Sequence, residues 1–293
     1  MTHDVIVVGG AFAGMSAALQ LLRARRTVLV IDSGERRNRF ASHAHGFLGN
    51  DGTPPGEIAA VARRQLEAYP TLDWIDARVT EVEGSKEAFA VTLEDGSRHK
   101  GRRLLLATGV KDDLPEIAGL AERWGRHVFH CPYCHGYELN QGPLGVIASG
   151  SMSIHQAELI PEWGPTTFFV NGALTLDEAQ RASLTARNVA IEETPVTGIE
   201  GEAEVRLADG RLIALAGLFV ASRTTPATPL AERLGCRLEE TMLGLQIATD
   251  PMKETSIAGA FAAGDVARMP HSVALAVADG AFAGAAVHRS LVF

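Results

Sequence analysis

The chain has 293 residues, 46% hydrophobic and 21% charged, and a formal net charge of −8. That length supports a large core and about two domains, while the acidic balance argues against a nucleic-acid surface, which needs a basic face. No apolar run approaches the roughly 20 residues of a spanning helix and no leader precedes the first strand, so the expectation is a soluble, cytoplasmic protein that works off the membrane on a small molecule or another protein.

In chain order, the pattern predicts a strand over residues 4–8, a glycine turn over 9–14, a helix over 12–26 and a second strand over 27–32, a βαβ opening. The turn reads GGAFAG. Against GxGxxG, Gly9 and Gly14 are the first and third glycines and Ala11 replaces the middle one; Gly10 supplies backbone freedom beside it, and Phe12 and Ala13 complete the turn. Asp32 closes the second strand, where a carboxylate takes ribose hydroxyls and repels a 2'-phosphate. The first site therefore wants an unphosphorylated adenosine ribose, as in FAD or NAD.

Next come Arg36, Arg37 and Arg39, a run that either touches a cofactor phosphate or forms a solvated face. His43 and His45 stand two apart with no third ligand in view, and read as loop histidines rather than a metal site. A helix is predicted over 55–68, then alternating segments over 74–82, 88–93 and 102–107, separated by hairpin turns. The last of these ends in Ala107, Thr108 and Gly109, and a domain boundary falls near Asp112.

The stretch CPYCHGYE at 131–138 fits a haem-attachment signature, half a zinc site or a redox pair. Haem attachment normally follows export, and no second CxxC or HxxxH completes a zinc site, so Cys131 and Cys134 read as a redox pair and no metal is expected. Cys236 reads as a small buried hydrophobe. His135 is the proton acceptor for thiol exchange near neutral pH, Glu138 a structural hydrogen-bond partner, Tyr133 a ring shaping the cysteine loop, and His155 an ordinary helix histidine. A second βαβ unit follows at LGVIASGSMSIHQAELI, and the C-terminal portion holds GAFAAGD at 259–265 and a long helix rich in small residues.

The glycine turn, the ATG at residues 107–109 and ETSIAGAFAAGD, in this order, resemble the FAD-binding signatures of the pyridine nucleotide-disulfide oxidoreductases. With CxxC between them, the chain is similar to the low-molecular-weight thioredoxin reductases over nearly its whole length. The resemblance implies an α/β fold of two Rossmann-like three-layer domains, the second inserted in the first: an FAD-binding domain over 1–112 and 243–293, and an NAD(P)-binding-like domain over 113–242 carrying the cysteines. It further implies Gly264 and Asp265 at the flavin ribityl and pyrophosphate, a helix start at Ser272 and Val273 facing the flavin's pyrimidine edge, Cys134 as the flavin-side sulfur, and a homodimer.

Two departures set the expectation for function. The second glycine turn, ASGSMS, has Ala148 for the first glycine and Ser153 at the close-packing position, and Asn171, Gly172 and Ala173 stand where an arginine cluster would clamp a 2'-phosphate, so tight NAD(P)H binding has no visible source. His135 replaces an acidic residue after CxxC, and CxxCHGYE resembles the dithiol oxidases that close disulfides in gliotoxin- and holomycin-type metabolites and pass electrons from FAD to dioxygen. The expectation is an FAD-dependent dithiol oxidase acting on a small-molecule dithiol or a thioredoxin-like protein. The alternatives are an NAD(P)H-dependent thioredoxin or disulfide reductase, and a flavin-bearing redox sensor without efficient turnover.

Overall fold

Residues 5–8 and 28–31 are continuous apolar runs, the pattern of parallel strands buried on both faces. In a computed structural model describing residues 2–293, the first part of the chain forms β1 (Thr2–Val8), α1 (Phe12–Arg23), β2 (Val28–Asp32), α2 (Pro55–Glu67), β3 (Leu72–Asp76), β4 (Val79–Glu83), β5 (Phe89–Leu93), β6 (Arg98–Leu106) and β7 (Val110–Asp113). The middle forms α3 (Leu120–Arg123), β8 (Val128–Phe129), α4 (Pro132–His135), β9 (Leu144–Ile147), α5 (Met152–Leu159), β10 (Thr166–Phe169), α6 (Glu178–Ala186), β11 (Ala190–Glu192), β12 (Val196–Glu200), β13 (Glu204–Leu207), β14 (Leu212–Ala214) and β15 (Gly217–Val220). The last part forms β16 (Arg223–Pro226), α7 (Leu230–Leu234), β17 (Leu238–Thr241), β18 (Gly244–Ile247), β19 (Ala260–Ala262) and α8 (Val273–Val292).

The described chain divides into two compact units: residues 2–39, 47–111 and 224–293 form the first, and residues 40–46 and 112–223 the second. The expected return at residue 243 falls instead at 224. The reason is strand pairing: β16 runs parallel to β18, and β17 and α7 follow it, with Leu230, Ala231 and Ile247 packed into the first unit's core.

In the first unit, β1, β2, β3, β6 and β19 are parallel, with β5 added antiparallel to β6 and β4 antiparallel to β5. Strand β6 has two jobs: Arg98–Gly101 pairs with β5, and Leu104–Leu106 pairs with β19. The predicted strand over 74–82 is therefore two strands, because β3 extends the parallel sheet while β4 belongs to the antiparallel meander. That meander covers one face of the parallel sheet: Val79, Val82, Phe89 and Val91 share a core with Ile6, Val8, Leu29 and Ile31. Alternating β1 residues Val5 and Val7 are equally buried and point the other way. Helices α1 and α8 approach closely at two glycines; a Cβ on Gly280 would stand 2.1 Å from Ala13 O and one on Gly284 2.5 Å from Ala17 O.

The second unit repeats the layering. Its sheet is parallel throughout, in the order β11-β10-β9-β15-β8, with a separate antiparallel β12-β13-β14. Val146, Phe168 and Phe219 pack with Ala157 and Ile160 on the helical side, and Ile147, Phe169, Leu218 and Val220 with Val196, Ile199 and Val205 on the meander side. Adjacent strand residues thus face opposite layers, as the period of two requires. Both units are the expected three-layer α/β arrangement. No helix among the described residues is long and apolar enough to cross a membrane.

Candidate active site

The glycine turn of the first unit is built around contacts that admit no side chain. Gly9 has φ 103°, and a Cβ there would stand 2.3 Å from Ala107 O; one on Gly14 would stand 1.8 Å from Gly9 O. Gly10 has a different role from the expected backbone freedom: its Cβ would meet the Trp74 ring at 2.5 Å, and its amide donates to Asp32 Oδ1 at 3.0 Å. One Asp32 oxygen thus fixes the turn. Ala11 is the N-cap of α1 and no side chain caps that helix, so the N–H groups of Phe12, Ala13 and Gly14 are presented to whatever occupies the turn.

The other expected cofactor residues lie at the ends of neighbouring strands. Ala107, Thr108 and Gly109 follow β6, and Gly109 has φ 69° with open space where a Cβ would stand. Gly264 follows β19, and a Cβ on it would touch Ala13 Cβ at 2.7 Å. Its amide donates to Asp279 Oδ2 at 2.8 Å, and Lys253 Nζ stands 3.1 Å from the same oxygen while donating to Ala267 O at 2.9 Å. A buried lysine and an α8 carboxylate therefore brace this turn from behind, a device the sequence does not announce. Asp265 accepts from Arg37 at 3.1 Å, and the same Arg37 nitrogen stands 2.9 Å from His271 Nδ1. Ser272 caps α8, accepting from Leu275 N at 3.1 Å, and Val273 begins the helix. The arginine run is therefore not simply a solvated face: Arg37 is pinned, and Arg36 Nε is buried without a partner in the protein. This cradle, its uncapped helix and an orphaned guanidinium donor fit an anionic dinucleotide such as FAD.

The second unit holds the cysteines. Cys131 is the N-cap of α4 with Pro132 following, and Cys134 Sγ lies 2.6 Å from Cys131 Sγ, both as thiols. The helix has only four residues, so it lends little dipole to favour a thiolate. The loop is set by close packing beneath it: a Cβ on Gly136 would stand 2.5 Å from Trp163, and Tyr133 lies edge-on to the Trp163 ring at 5.2 Å. Gln156 on α5 donates to His130 O at 2.9 Å, fixing the residue before Cys131.

His135 stacks on Phe129, ring centroids 4.3 Å apart. Burial, and next the charge of His45, hold its imidazolium down at about 4, so this side chain is neutral at physiological pH rather than poised near it. Glu138 has its partner in His45, whose Nδ1 lies 3.4 Å from Glu138 Oε1. The loop histidines thus join the cysteine unit, which their position in the sequence hides. His155 is exposed on α5, and Cys236 is buried with its thiol pushed up by burial. Among the described residues, no group of three or more His, Cys, Asp or Glu is arranged to hold a metal ion.

The second glycine turn is closed on itself. Ser149 N donates to Ser153 Oγ at 3.0 Å, and Ser149 Oγ donates to Ala221 O at 2.7 Å. Unlike Gly9, Gly150 does not adopt a left-handed conformation. Beyond β10, Asn171 accepts from Val196 N at 2.8 Å, and no Lys or Arg occurs from Thr166 to Gln180.

Comparison with known proteins agrees with this geometry. The description pyridine nucleotide-disulphide oxidoreductase matches residues 3–280. Thioredoxin reductase sirT of Leptosphaeria maculans is 34% identical over 306 residues, covering 97% of this chain and 93% of that protein. The crystal structure of an oxidoreductase from Agrobacterium tumefaciens superposes with a TM-score of 0.97 at 58% identity, covering 100% of this chain and 99% of that one. That of HlmI superposes with a TM-score of 0.92 at 37% identity, covering 99% and 93%.

Proposed function

Since this chain belongs to the pyridine nucleotide-disulphide oxidoreductases and is an FAD-dependent oxidoreductase acting on sulfur groups, we propose that it oxidises dithiols to disulfides with dioxygen as the final acceptor. The observation that carries this reading is the second glycine turn, where the Ser149 amide donates to the Ser153 hydroxyl and the Ser149 hydroxyl to Ala221 O, so both donors are already engaged within the protein. Electrons then enter from the substrate dithiol rather than from a nicotinamide.

The first unit is the FAD-binding domain in this reading. Its pyrophosphate would rest on the Gly9–Gly14 turn and its ribose on Asp32, with Ala107, Thr108, Gly109, Gly264 and Asp265 along the cofactor and the Ser272–Val273 helix start at the flavin. When bound, FAD supplies the two-electron acceptor for the reduced cysteine pair and passes those electrons to dioxygen as hydrogen peroxide.

The protein's own residues perform the sulfur chemistry. One substrate thiol gives up its proton to His135 and attacks Cys131 Sγ of the oxidised pair; a bond forms between them, the Cys131–Cys134 bond breaks, and Cys134 leaves as thiolate. The second substrate thiol gives up its proton and attacks the first substrate sulfur. The substrate disulfide closes, the bond to Cys131 breaks, and two electrons remain with the cysteines. The neutral His135 is ready to accept a proton across the physiological range.

The reading places the enzyme in the cytoplasm as a homodimer, with a small-molecule dithiol as substrate, a thioredoxin-like protein being the other candidate. An oxygen electrode tests it. Oxygen uptake that requires a dithiol, with hydrogen peroxide formed in equal amount, is the expected result; nicotinamide consumption coupled to disulfide reduction would replace it with the reductase.

A further inference from the structure

Lys253 is a buried cation in the loop between β18 and β19, and the dithiol chemistry makes no use of it. Its backbone sits at φ 68°, in the left-handed region that a residue with a Cβ enters at a cost. The surrounding loop holds it there. Lys253 N donates to Asp250 O and Ala262 N donates to Lys253 O, each at 3.0 Å, while Asp250 Oδ1 accepts from Met252 N at 2.8 Å and from Glu254 N at 2.9 Å. The side chain lies inside the first unit, where an ammonium is tolerated only when paired and hydrogen-bonded.

Both of its partners belong to the flavin-side turn. Nζ donates to Ala267 O at 2.9 Å and lies 3.1 Å from Asp279 Oδ2, and that same oxygen accepts from Gly264 N at 2.8 Å. Gly264 has φ 78°, and its carbonyl accepts from Ala267 N at 2.8 Å. The lysine and the aspartate therefore grip the two ends of the Gly264–Ala267 turn. Asp279 stands about two turns along α8 from its cap, Ser272, and the next residue, Gly280, is where α8 meets Ala13 of the glycine turn. One carboxylate thus ties the turn carrying Asp265 to the helix that packs on the glycine cradle.

We infer that Asp279, seated by Lys253, is a positioning residue for FAD: it draws the Gly264 amide back into the protein and so fixes the turn that presents Asp265 to the cofactor. Lys253 acts through it, its charge keeping the carboxylate in place and its bond to Ala267 O closing the far end of the turn. Without that carboxylate the Gly264 amide has no acceptor and the turn is released from φ 78°. This inference rests on the FAD-binding reading of the first unit and deepens it.

Positioning and stability separate here, because an apolar pair of similar volume often replaces a buried ion pair at no loss of stability. The test is the rate at which FAD leaves the loaded, full-length protein, followed as recovery of flavin fluorescence and set beside the melting temperature. Two double variants each remove both charges: Lys253→Met/Asp279→Asn keeps an oxygen for the Gly264 amide, and Lys253→Met/Asp279→Leu does not. FAD is expected to leave the second about tenfold faster than wild type and the first within about threefold of it, the scale of one lost hydrogen bond to a charged group, while the two melt alike. In the FAD-free wild type, nuclear magnetic resonance is expected to show the Gly264 amide already protected from hydrogen exchange. Rapid exchange of that amide, equal release from both double variants, or release that simply follows the melting temperature overturns the inference while the wild type still holds FAD. A wild type that takes up no FAD removes the FAD-binding reading and this inference with it.

Discussion

The Ser149 amide donates to the Ser153 hydroxyl at 3.0 Å, inside the turn where the second nucleotide of a reductase would bring a phosphate. Ser153 is fully buried, so the bond is shielded from water, and a phosphate arriving there would have to displace it. The wild type is therefore expected to bind NADPH and NADH with dissociation constants above about 1 mM, equivalent to less than about 4 kcal/mol. In Ser153→Gly the amide is released and affinity rises roughly tenfold, about 1.4 kcal/mol. Both nucleotides gain alike, because no guanidinium between residues 166 and 180 reads the 2'-phosphate. Calorimetric titration of the two proteins measures this.

The cysteines divide the exchange between them. Cys134→Ser leaves Cys131 able to form a mixed disulfide that nothing resolves on the enzyme side, so incubation with the disulfide of a monothiol, whose released half is not tethered and can be removed, is expected to give a stable adduct on Cys131, visible by intact mass. Cys131→Ser gives no such adduct. Both variants lose dithiol-dependent oxygen uptake and keep their FAD, since neither residue lies in the unit that carries the glycine cradle.

Gly280 lets α8 lie against α1, its hypothetical Cβ only 2.1 Å from Ala13 O. Gly280→Ala pushes the helices apart, at a cost of roughly 1–3 kcal/mol typical of overpacking. Because Ala13 belongs to the cradle turn and α8 carries Asp279, which holds the Gly264 amide, cofactor retention falls with stability. Thermal melting and the ratio of flavin to protein absorbance report the two effects together.

Arg103 is buried and donates to Glu87 at 2.6 Å and to the Ser290 hydroxyl at 2.9 Å, tying the end of α8 to β6. Arg102 first, and Arg103 next, hold the Glu87 carboxyl down at about 2 from its ordinary 4.5. A depressed carboxyl stabilises the fold fully above its unfolded value and loses that contribution as pH falls. Urea midpoints of the wild type and Glu87→Gln should therefore differ above pH 4.5 and converge as the pH approaches about 2. Glu87 is about half exposed, so the difference at neutral pH is modest and shrinks with salt.

The parts of this molecule that can be read from sequence are those governed by local periodicity. The apolar runs of β1 and β2, the glycine turn and the C-terminal GD turn keep their order and spacing along the chain, and their conformations follow from short-range sterics. Pairing partners are different. The alternation from Trp74 to Val82 looks like one strand, and only the tertiary arrangement assigns its halves to a parallel sheet and a meander. The second boundary shifts for the same reason, as β16 finds its partner in β18. His45, Arg37 and Lys253 escape a linear reading because each acts on a residue far away in the chain: Glu138, Asp265 and Asp279. Each sits in an apparently ordinary loop. Burial first, and next the charge of His45, neither visible in CPYCHGYE, make His135 a neutral ring stacked on Phe129 rather than one titrating near neutrality.

The most direct measurement is anaerobic addition of NADPH, NADH and a dithiol, separately, to the FAD-loaded protein while following the absorbance of oxidised flavin. The account predicts bleaching by the dithiol alone and full recovery of colour when air is admitted. Rapid bleaching by either nicotinamide would contradict it, showing that electrons enter through the second unit despite its closed turn and that the protein is a reductase.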